Sequence, residues 1–244
     1  MNINFINRID KVKKAFGKID KNILPVLTCY SYDQFMVNID NLYKYFKQNK
    51  IAGIFILNTC IKNSIFKKVY RDAKDKYPDF WIGVNILGVP LSDLLEFIEN
   101  YNPDGVWVDD SYLHDINDLE ICEVISNHFE KINWNGLYFG GVMFKYSQYC
   151  NEYNPDILKV AYKYMDVLTT SGDGTGIEIK EKKLDFISEN SENICISVAS
   201  GINSKNIKKI SEKSHMFIVR TSIVDSDNNI DNQKLDELIS SLNN

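Results

Sequence analysis

Residues 194–222 read ICISVASGINSKNIKKISEKSHMFIVRTS and contain one complete strand–helix–strand unit. ICISVAS and MFIVRTS are short runs, nearly continuous in apolar residues until a polar end. A strand buried on one face alternates apolar and polar residues. A run without alternation is buried on both faces, as in a parallel sheet covered by helices. Between the two runs, Ile207 and Ile210 stand at helical spacing. Asn203 or Ser204 stands where a helix start needs a capping side chain, so a helix is expected over 204–213.

The same unit recurs outward from this stretch. The earlier runs are ILPVLTCY from Ile23, GIFILN from Gly53, FWIGVNIL from Phe80, GVWVDD from Gly105, GLYFGGVMF from Gly136 and MDVLTT from Met165. With the first two they make eight, and their starts lie roughly 22 to 31 residues apart. That is the length of one strand, one helix and two loops. Helical stripes fall between them: Phe35, Ile39, Leu42, Tyr43 and Phe46, then Leu91, Leu94, Leu95 and Ile98 behind Pro90. Asp156, Ile157, Val160 and Tyr164 make another, and Leu235, Leu238 and Ile239 the last. Strict alternation of strand and helix implies parallel strands and right-handed crossovers. Eight such units close into a (β/α)8 TIM barrel, whose usual length of about 250 residues suits a chain of 244. The rival, a doubly wound sheet, calls for a glycine-rich turn after its first strand. Here that turn is Tyr30, Ser31, Tyr32 and Asp33. One barrel domain is expected over 1–244, with 1–20 as an N-terminal capping segment. Within that segment Val12, Phe16 and Ile19 would close the barrel bottom from a short amphipathic helix.

Composition narrows the function. The formal net charge is −5 with no basic stripe, which argues against a nucleic-acid polymer as partner. No stretch of about 18 apolar residues is present, so no transmembrane segment is expected. Charges scattered through MNINFINRIDKVKKAF leave no unbroken apolar core for a signal peptide. The five cysteines include no C-x-x-C pair, and with three histidines they show no metal-ligand spacing. Reduced thiols in a cytoplasmic protein follow from this. No cofactor is assigned, and a homo-oligomer is left open.

In a barrel of this kind, ligands bind at the C-terminal strand ends. Sequence 170–176, TSGDGTG, places three glycines among hydroxyls. There Gly172, Asp173, Gly174 and Thr175 could turn backbone amides onto one anion, with a helix starting at Ile177. Ser200 and Gly201 end the seventh run, and Thr221 and Ser222 the eighth. These are the positions where barrels often hold a phosphate. Arg220 could contact such an anion or pair with a carboxylate. Lys145 is read as ending the fifth strand, where it could form a Schiff base, serve as a plain cation, or simply be solvated. Asp109 and Asp110 point to opposite faces, so one of them can reach the mouth as a general base or ribose acceptor. Asn85 would supply a neutral hydrogen-bonding group. Cys29 lies at a strand end, although no histidine accompanies it, and His114 could reach the mouth from the loop after Asp109.

These residues resemble the BtpA (BtpA/SgcQ) family of the ribulose-phosphate-binding barrels. The family's Gly-Val-Asn with an aliphatic pair is similar to GVNIL at 83–87, and its Thr-Gly-x-x-Thr-Gly to SGDGTG at 171–176. Its Ser-Gly-Val-Thr-x-x-Asn resembles SGINSKN at 200–206, and its Gly-Thr-Ser resembles Arg220, Thr221 and Ser222, with Ile230 and Asp231 beyond. A lysine ending strand five corresponds to Lys145. Three positions depart from the pattern. Thr28 and Cys29 stand where the family carries a strand-one histidine, Tyr146 replaces a histidine after the lysine, and Arg220 replaces a glycine. The resemblance implies a barrel and a small phosphorylated ligand. For one branch it implies photosystem I assembly, which nothing in this chain supports. Two functions are therefore expected. One is an enzyme (lyase, isomerase or transferase) on a phosphorylated metabolite such as a sugar phosphate or nucleotide, with Lys145, Asp109 and Asn85 as its catalytic set. The other is a non-catalytic assembly or regulatory factor, whose partner surface would be Tyr30, Tyr32, Tyr138, Tyr146 and Tyr149.

Overall fold

A computed structural model describes residues 8–243. Its strands are β1 (Asn22–Leu27), β2 (Ile54–Leu57), β3 (Ile82–Asn85), β4 (Gly105–Val108), β5 (Leu137–Gly141), β6 (Val167–Ser171), β7 (Cys195–Ala199) and β8 (Met216–Val219). All pair in parallel and in chain order, and β1 closes on β8 with Ile23 opposite Phe217 and Leu24 opposite Ile218. Helix α1 (Arg8–Phe16) precedes the sheet. The strands are followed in turn by α2 (Tyr32–Lys47), α3 (Asn63–Lys76), α4 (Leu91–Tyr101), α5 (Glu120–Lys131), α6 (Pro155–Tyr164), α7 (Glu181–Asn190), α8 (Ile207–Ile210) and α9 (Asn232–Asn243). The fold is a (β/α)8 TIM barrel.

Successive strand residues face opposite ways, so every apolar run divides into two sets. Ile54, Ile56, Ile82, Val84, Val106, Leu168, Ile196, Val198, Phe217 and Val219 pack outward in the helical layer. Leu24, Val26, Phe55, Trp81, Trp107, Leu137, Phe139, Val167, Cys195, Met216 and Ile218 fill the interior. This double burial is why the runs do not alternate. The interior is lopsided. Phe55 packs edge-on against Trp81 at 5.3 Å and Phe139 at 5.1 Å, between centroids. Such volume fits only beside glycine: a Cβ on Gly83 would lie 2.4 Å from the Phe55 ring, and one on Gly105 2.4 Å from Trp81. On the far wall, small polar residues take over. Thr169 and Ser197 stand opposite each other, and both hydroxyls are buried without a partner.

Helix α1 seals the N-terminal end. Val12 is fully buried among the interior side chains, and Phe16 lies 5.0 Å from Trp81. Asp166, just before β6, holds this helix in place by accepting from Arg8 Nη1 at 2.9 Å and Lys11 Nζ at 2.7 Å. The same carboxylate accepts from the Tyr138 amide. No helix among the described residues is long and apolar enough to cross a membrane.

Three elements differ from the sequence reading. The helix expected over 204–213 shrinks to α8. Asn206 Oδ1 accepts from the Asn203 amide at 2.8 Å and Asn203 Oδ1 from the Lys205 amide at 2.9 Å. Such local bonds compete with helical ones. The helix expected from Ile177 begins instead at Glu181. The fifth strand stops at Gly141, four residues before Lys145. A Cβ at Gly141 would lie 2.0 Å from the Asp109 carbonyl oxygen, so the chain after β4 crosses over the end of β5.

Candidate functional site

The alternation that fills the interior continues to the strand ends, and one residue beyond them in β4 and β8. The inward series Trp81, Gly83 reaches Asn85; Trp107 leads to Asp109; Thr169 to Ser171; Ile218 to Arg220. These residues form the rim of the C-terminal mouth. Its floor is Phe144, which leaves the β5 end, turns back inside and meets Trp107 at 6.0 Å between rings.

Lys145 follows Phe144 directly. Its amide donates to Ser171 Oγ at 2.8 Å, which ties this loop to the end of β6. Its ammonium donates to Ser200 Oγ at 3.0 Å and Thr175 Oγ1 at 3.3 Å, and sits 5.5 Å above the Phe144 ring. Tyr146 braces the same corner, accepting from the Thr175 amide at 3.0 Å. Thus the fifth, sixth and seventh strand ends meet at one cation. Met143 (φ 50°), Tyr146 (φ 64°) and Ser200 (φ 70°) are all left-handed around it. Such strain persists where surrounding structure fixes it, and it gathers at functional sites.

The glycines do something other than expected. A Cβ at either Gly172 or Gly201 would lie 2.3 Å from the Ile177 carbonyl oxygen. Both therefore make room for the protein's own backbone at Ile177 and Glu178, which lies across the ends of β6 and β7. Gly174 sits in the turn before it, with the Ile177 amide donating to its carbonyl at 3.1 Å. Asp173 is paired with Lys180, whose hydrogen bond, helped by its charge, holds the carboxyl below the usual aspartate range. Asn206 fixes the next turn by donating to the Gly201 carbonyl at 2.8 Å.

Asp109 accepts from Asn85 Nδ2 at 3.1 Å. Burial pushes its carboxyl above the ordinary value, while the charge of Lys145 and the Asn85 bond pull the other way. Asn85 Oδ1 is buried without a partner. Asp110 is turned away from the mouth, accepting from the Tyr112 amide at 2.7 Å and lying 2.9 Å from His114 Nε2. His114 is further engaged by stacking on Tyr149, with ring centroids 3.9 Å apart.

On the β8 side, Arg220 pairs with no carboxylate: its terminal nitrogen donates to the amide oxygen of Asn228, and its buried Nε has no partner. The register sets Ala199 opposite Ile218, the last pair between β7 and β8. Thr221 and Ser222 lie in a 3-10 turn; Thr221 is exposed, and the Ser222 hydroxyl is buried and unpartnered. Cys29 is buried, and that burial pushes its thiol up to about 12 against the pull of Arg220. It is not a thiolate at neutral pH. Among the described residues, no group of three or more His, Cys, Asp or Glu side chains could hold a metal ion.

With this geometry in hand, the chain was compared with known proteins. No family model matches it, and no curated protein matches it in sequence, so membership of the BtpA family is not shown. Solved structures do match. Orotidine 5'-phosphate decarboxylase from Pyrococcus horikoshii OT3 superposes with a TM-score of 0.65 at 13% identity, over 91% of this chain and 99% of that one. Phosphoribosyl anthranilate isomerase from Thermus thermophilus gives 0.61 at 10%, over 91% and 98%. A native KDPGal structure gives 0.64 at 8%, over 91% and 94%. At these identities the likeness is one of fold, that of a (β/α)8 barrel.

Some contributors had no sequence signal. Lys183 reads as one lysine in a charged helix, yet it is fully buried. It donates to the Ser171 carbonyl at 2.8 Å, to the Met143 carbonyl and to Cys150 Sγ at 3.4 Å. It thereby draws the ends of β5 and β6 together behind Lys145, and burial lowers its pKa. The five tyrosines expected to share a surface do not. Tyr138 is buried outside the barrel wall, Tyr32 bonds Asp72, and Tyr149 lies under His114. Tyr30 and Tyr146 remain exposed.

Proposed function

We propose that the chain is an enzyme that binds a small phosphorylated metabolite, a sugar phosphate or nucleotide, at the C-terminal end of the barrel. One observation carries this reading. Lys145 and Arg220 stand on the rim with neutral partners, hydroxyls for the one and an amide oxygen for the other, in a chain of net charge −5. Cations in partly buried positions without a carboxylate favour an anionic ligand. The phosphate would lie among Lys145, Thr175, Ser200 and Arg220, with Gly172, Asp173, Gly174 and Gly201 shaping the loops through their backbone. Thr221 and Ser222 border it on the β8 side, where the unpartnered Ser222 hydroxyl supplies a further donor. The catalytic pair would be Asp109 and Lys145: a buried carboxylate that takes or gives a proton, and a cation that stabilises developing negative charge. Asn85 orients Asp109. The names of the superposed structures, a 5'-phosphate decarboxylase and a phosphoribosyl isomerase, agree with this class of substrate. Free thiols at all five cysteines agree with a cytoplasmic location.

The test is calorimetric titration with inorganic phosphate and a panel of sugar phosphates and nucleotides. Saturable binding is expected, and Lys145→Ala should weaken it about ten- to hundredfold, the worth of a charged hydrogen bond. If no phosphorylated compound binds and Lys145→Ala changes nothing, the enzyme reading is lost. A second reading, a non-catalytic scaffold, draws on the exposed rings of Tyr30 and Tyr146 at the rim. It predicts a stoichiometric protein partner in pull-downs and no turnover.

A further inference from the structure

Lys183 lies on the first turn of α7 and is fully buried. An ammonium carries three N–H groups, and a buried one needs an acceptor for each. Two of the Lys183 donors go to carbonyls, that of Met143 after β5 and that of Ser171 at the end of β6. The third goes to Cys150 Sγ at 3.4 Å. None of these partners is a carboxylate. Asp173 lies within electrostatic range, but it is committed to Lys180. Sulfur is a weak acceptor, and a serine at 150 would serve a purely structural pin at least as well. The pairing of this amine with a thiol is therefore the contact in the cluster that hydrogen bonding alone does not explain.

The two side chains have what a covalent link needs. They touch although 33 residues separate them in the chain. The flexible four-carbon stem of lysine lets the nitrogen close the remaining gap. Burial lowers the Lys183 pKa, which eases the loss of its proton and frees the nitrogen as a nucleophile. Cys150 keeps a 6% exposed edge, and a peroxide is little larger than water. Cys29, Cys122 and Cys195 do not compete for it. Burial pushes their thiols up to about 12, about 11 and about 12, and a thiol that keeps its proton resists oxidation. Cys60 is exposed and serves as the reference thiol.

We infer that Cys150 and Lys183 form a redox modification site, at which a peroxide joins sulfur to nitrogen as a sulfenamide. In the first step sulfur attacks the peroxide. The O–O bond breaks, one oxygen stays on sulfur as a sulfenic acid, and the other leaves as water with the thiol proton. In the second step the neutral Lys183 amine attacks that sulfur. The S–N bond forms, the S–O bond breaks, and the departing hydroxyl takes a proton from nitrogen as a second water. The pair is oxidised by two electrons, and one peroxide is reduced to two waters. The link removes the charge of Lys183 and leaves one N–H for two carbonyls, so oxidation alters the pin between the ends of β5 and β6. None of this rests on phosphate binding at the mouth.

The experiment treats the intact chain with hydrogen peroxide, raised until Cys60 is oxidised, and maps the products by peptide mass spectrometry without reduction. The peptides that carry Cys150 and Lys183 should appear joined, lighter than their sum by two hydrogens, and dithiothreitol should release them. Cys150→Ser should give no joined peptide under the same treatment. The inference is overturned if Cys150 stays reduced while Cys60 is oxidised, if Cys150 advances to a sulfinic acid with Lys183 free, or if Cys150 joins a residue other than Lys183.

Discussion

Asp109 is costly to keep ionised where it sits. Its folded pKa is raised above the ordinary 3.8, chiefly by burial. A raised acid contributes stability in full below its unfolded pKa, and loses that contribution as pH climbs through the folded one. At pH 7 the carboxylate therefore carries a burial cost that an amide does not. Asp109→Asn should melt higher than the wild type at pH 7, with the gap closing in acid, and should lose turnover of a phosphorylated substrate. A lower melting temperature at pH 7 contradicts this assignment. Ser200 shows the same trade. Its left-handed backbone would suit glycine, yet its hydroxyl reaches Lys145 Nζ. Ser200→Gly should leave stability unchanged or raise it by about 1 kcal/mol, while phosphate affinity falls. Unchanged affinity would show that the hydroxyl is incidental. Asn85 and Asp109 were legible in the sequence, because strand alternation alone turns them inward. The partners of Arg220 were not. Asn228 lies eight residues further along, in a loop with no periodicity to place it.

At the scale of elements, two devices hold the barrel ends. At the bottom, Asp166 is 1% exposed and holds α1 through Arg8 and Lys11. Asp166→Ala removes two ion pairs whose cations are partly exposed and also leaves the buried Tyr138 amide without its acceptor, so the loss should be about 3 kcal/mol. Amide exchange should rise in α1 before the sheet opens. Unchanged protection in α1 would mean that Val12 and Phe16 alone hold it. Val12 and Phe16 announced this helix, although it ends at Phe16 and Ile19 packs on the barrel bottom from beyond it; Asp166 reads only as the residue before an apolar run. At the top, the loop 172–180 runs across two strand ends because glycines at 172 and 201 leave it room. Three glycines in a row of hydroxyls signalled an anion loop. They did not reveal that the first of them, with Gly201 after β7, serves the loop's own backbone. The glycines at 140 and 141 misled differently: they let GLYFGGVMF pass for one strand, although the chain turns at Gly141 and returns Phe144 to the mouth.

For the whole molecule, the fold was legible because one unit repeats eight times, and each repeat buries both faces of its strand. The functional end was legible only in outline. Closure of the sheet brings Lys145, Thr175, Ser200 and Arg220 to a common rim from four separate stretches, and no local pattern encodes that proximity. The aromatic side of the interior, from Phe55 to Phe139, supports the floor, and the small polar side, Thr169 and Ser197, lies below the cation corner. The central claim is that this rim holds a phosphate. It is tested most directly by a crystal structure of the protein soaked in inorganic phosphate. The account predicts tetrahedral density within hydrogen-bond distance of Lys145 Nζ and Ser200 Oγ, on the side of the mouth that faces the Arg220 guanidinium. Density at another place, or an empty rim at a concentration that saturates binding in solution, would contradict it.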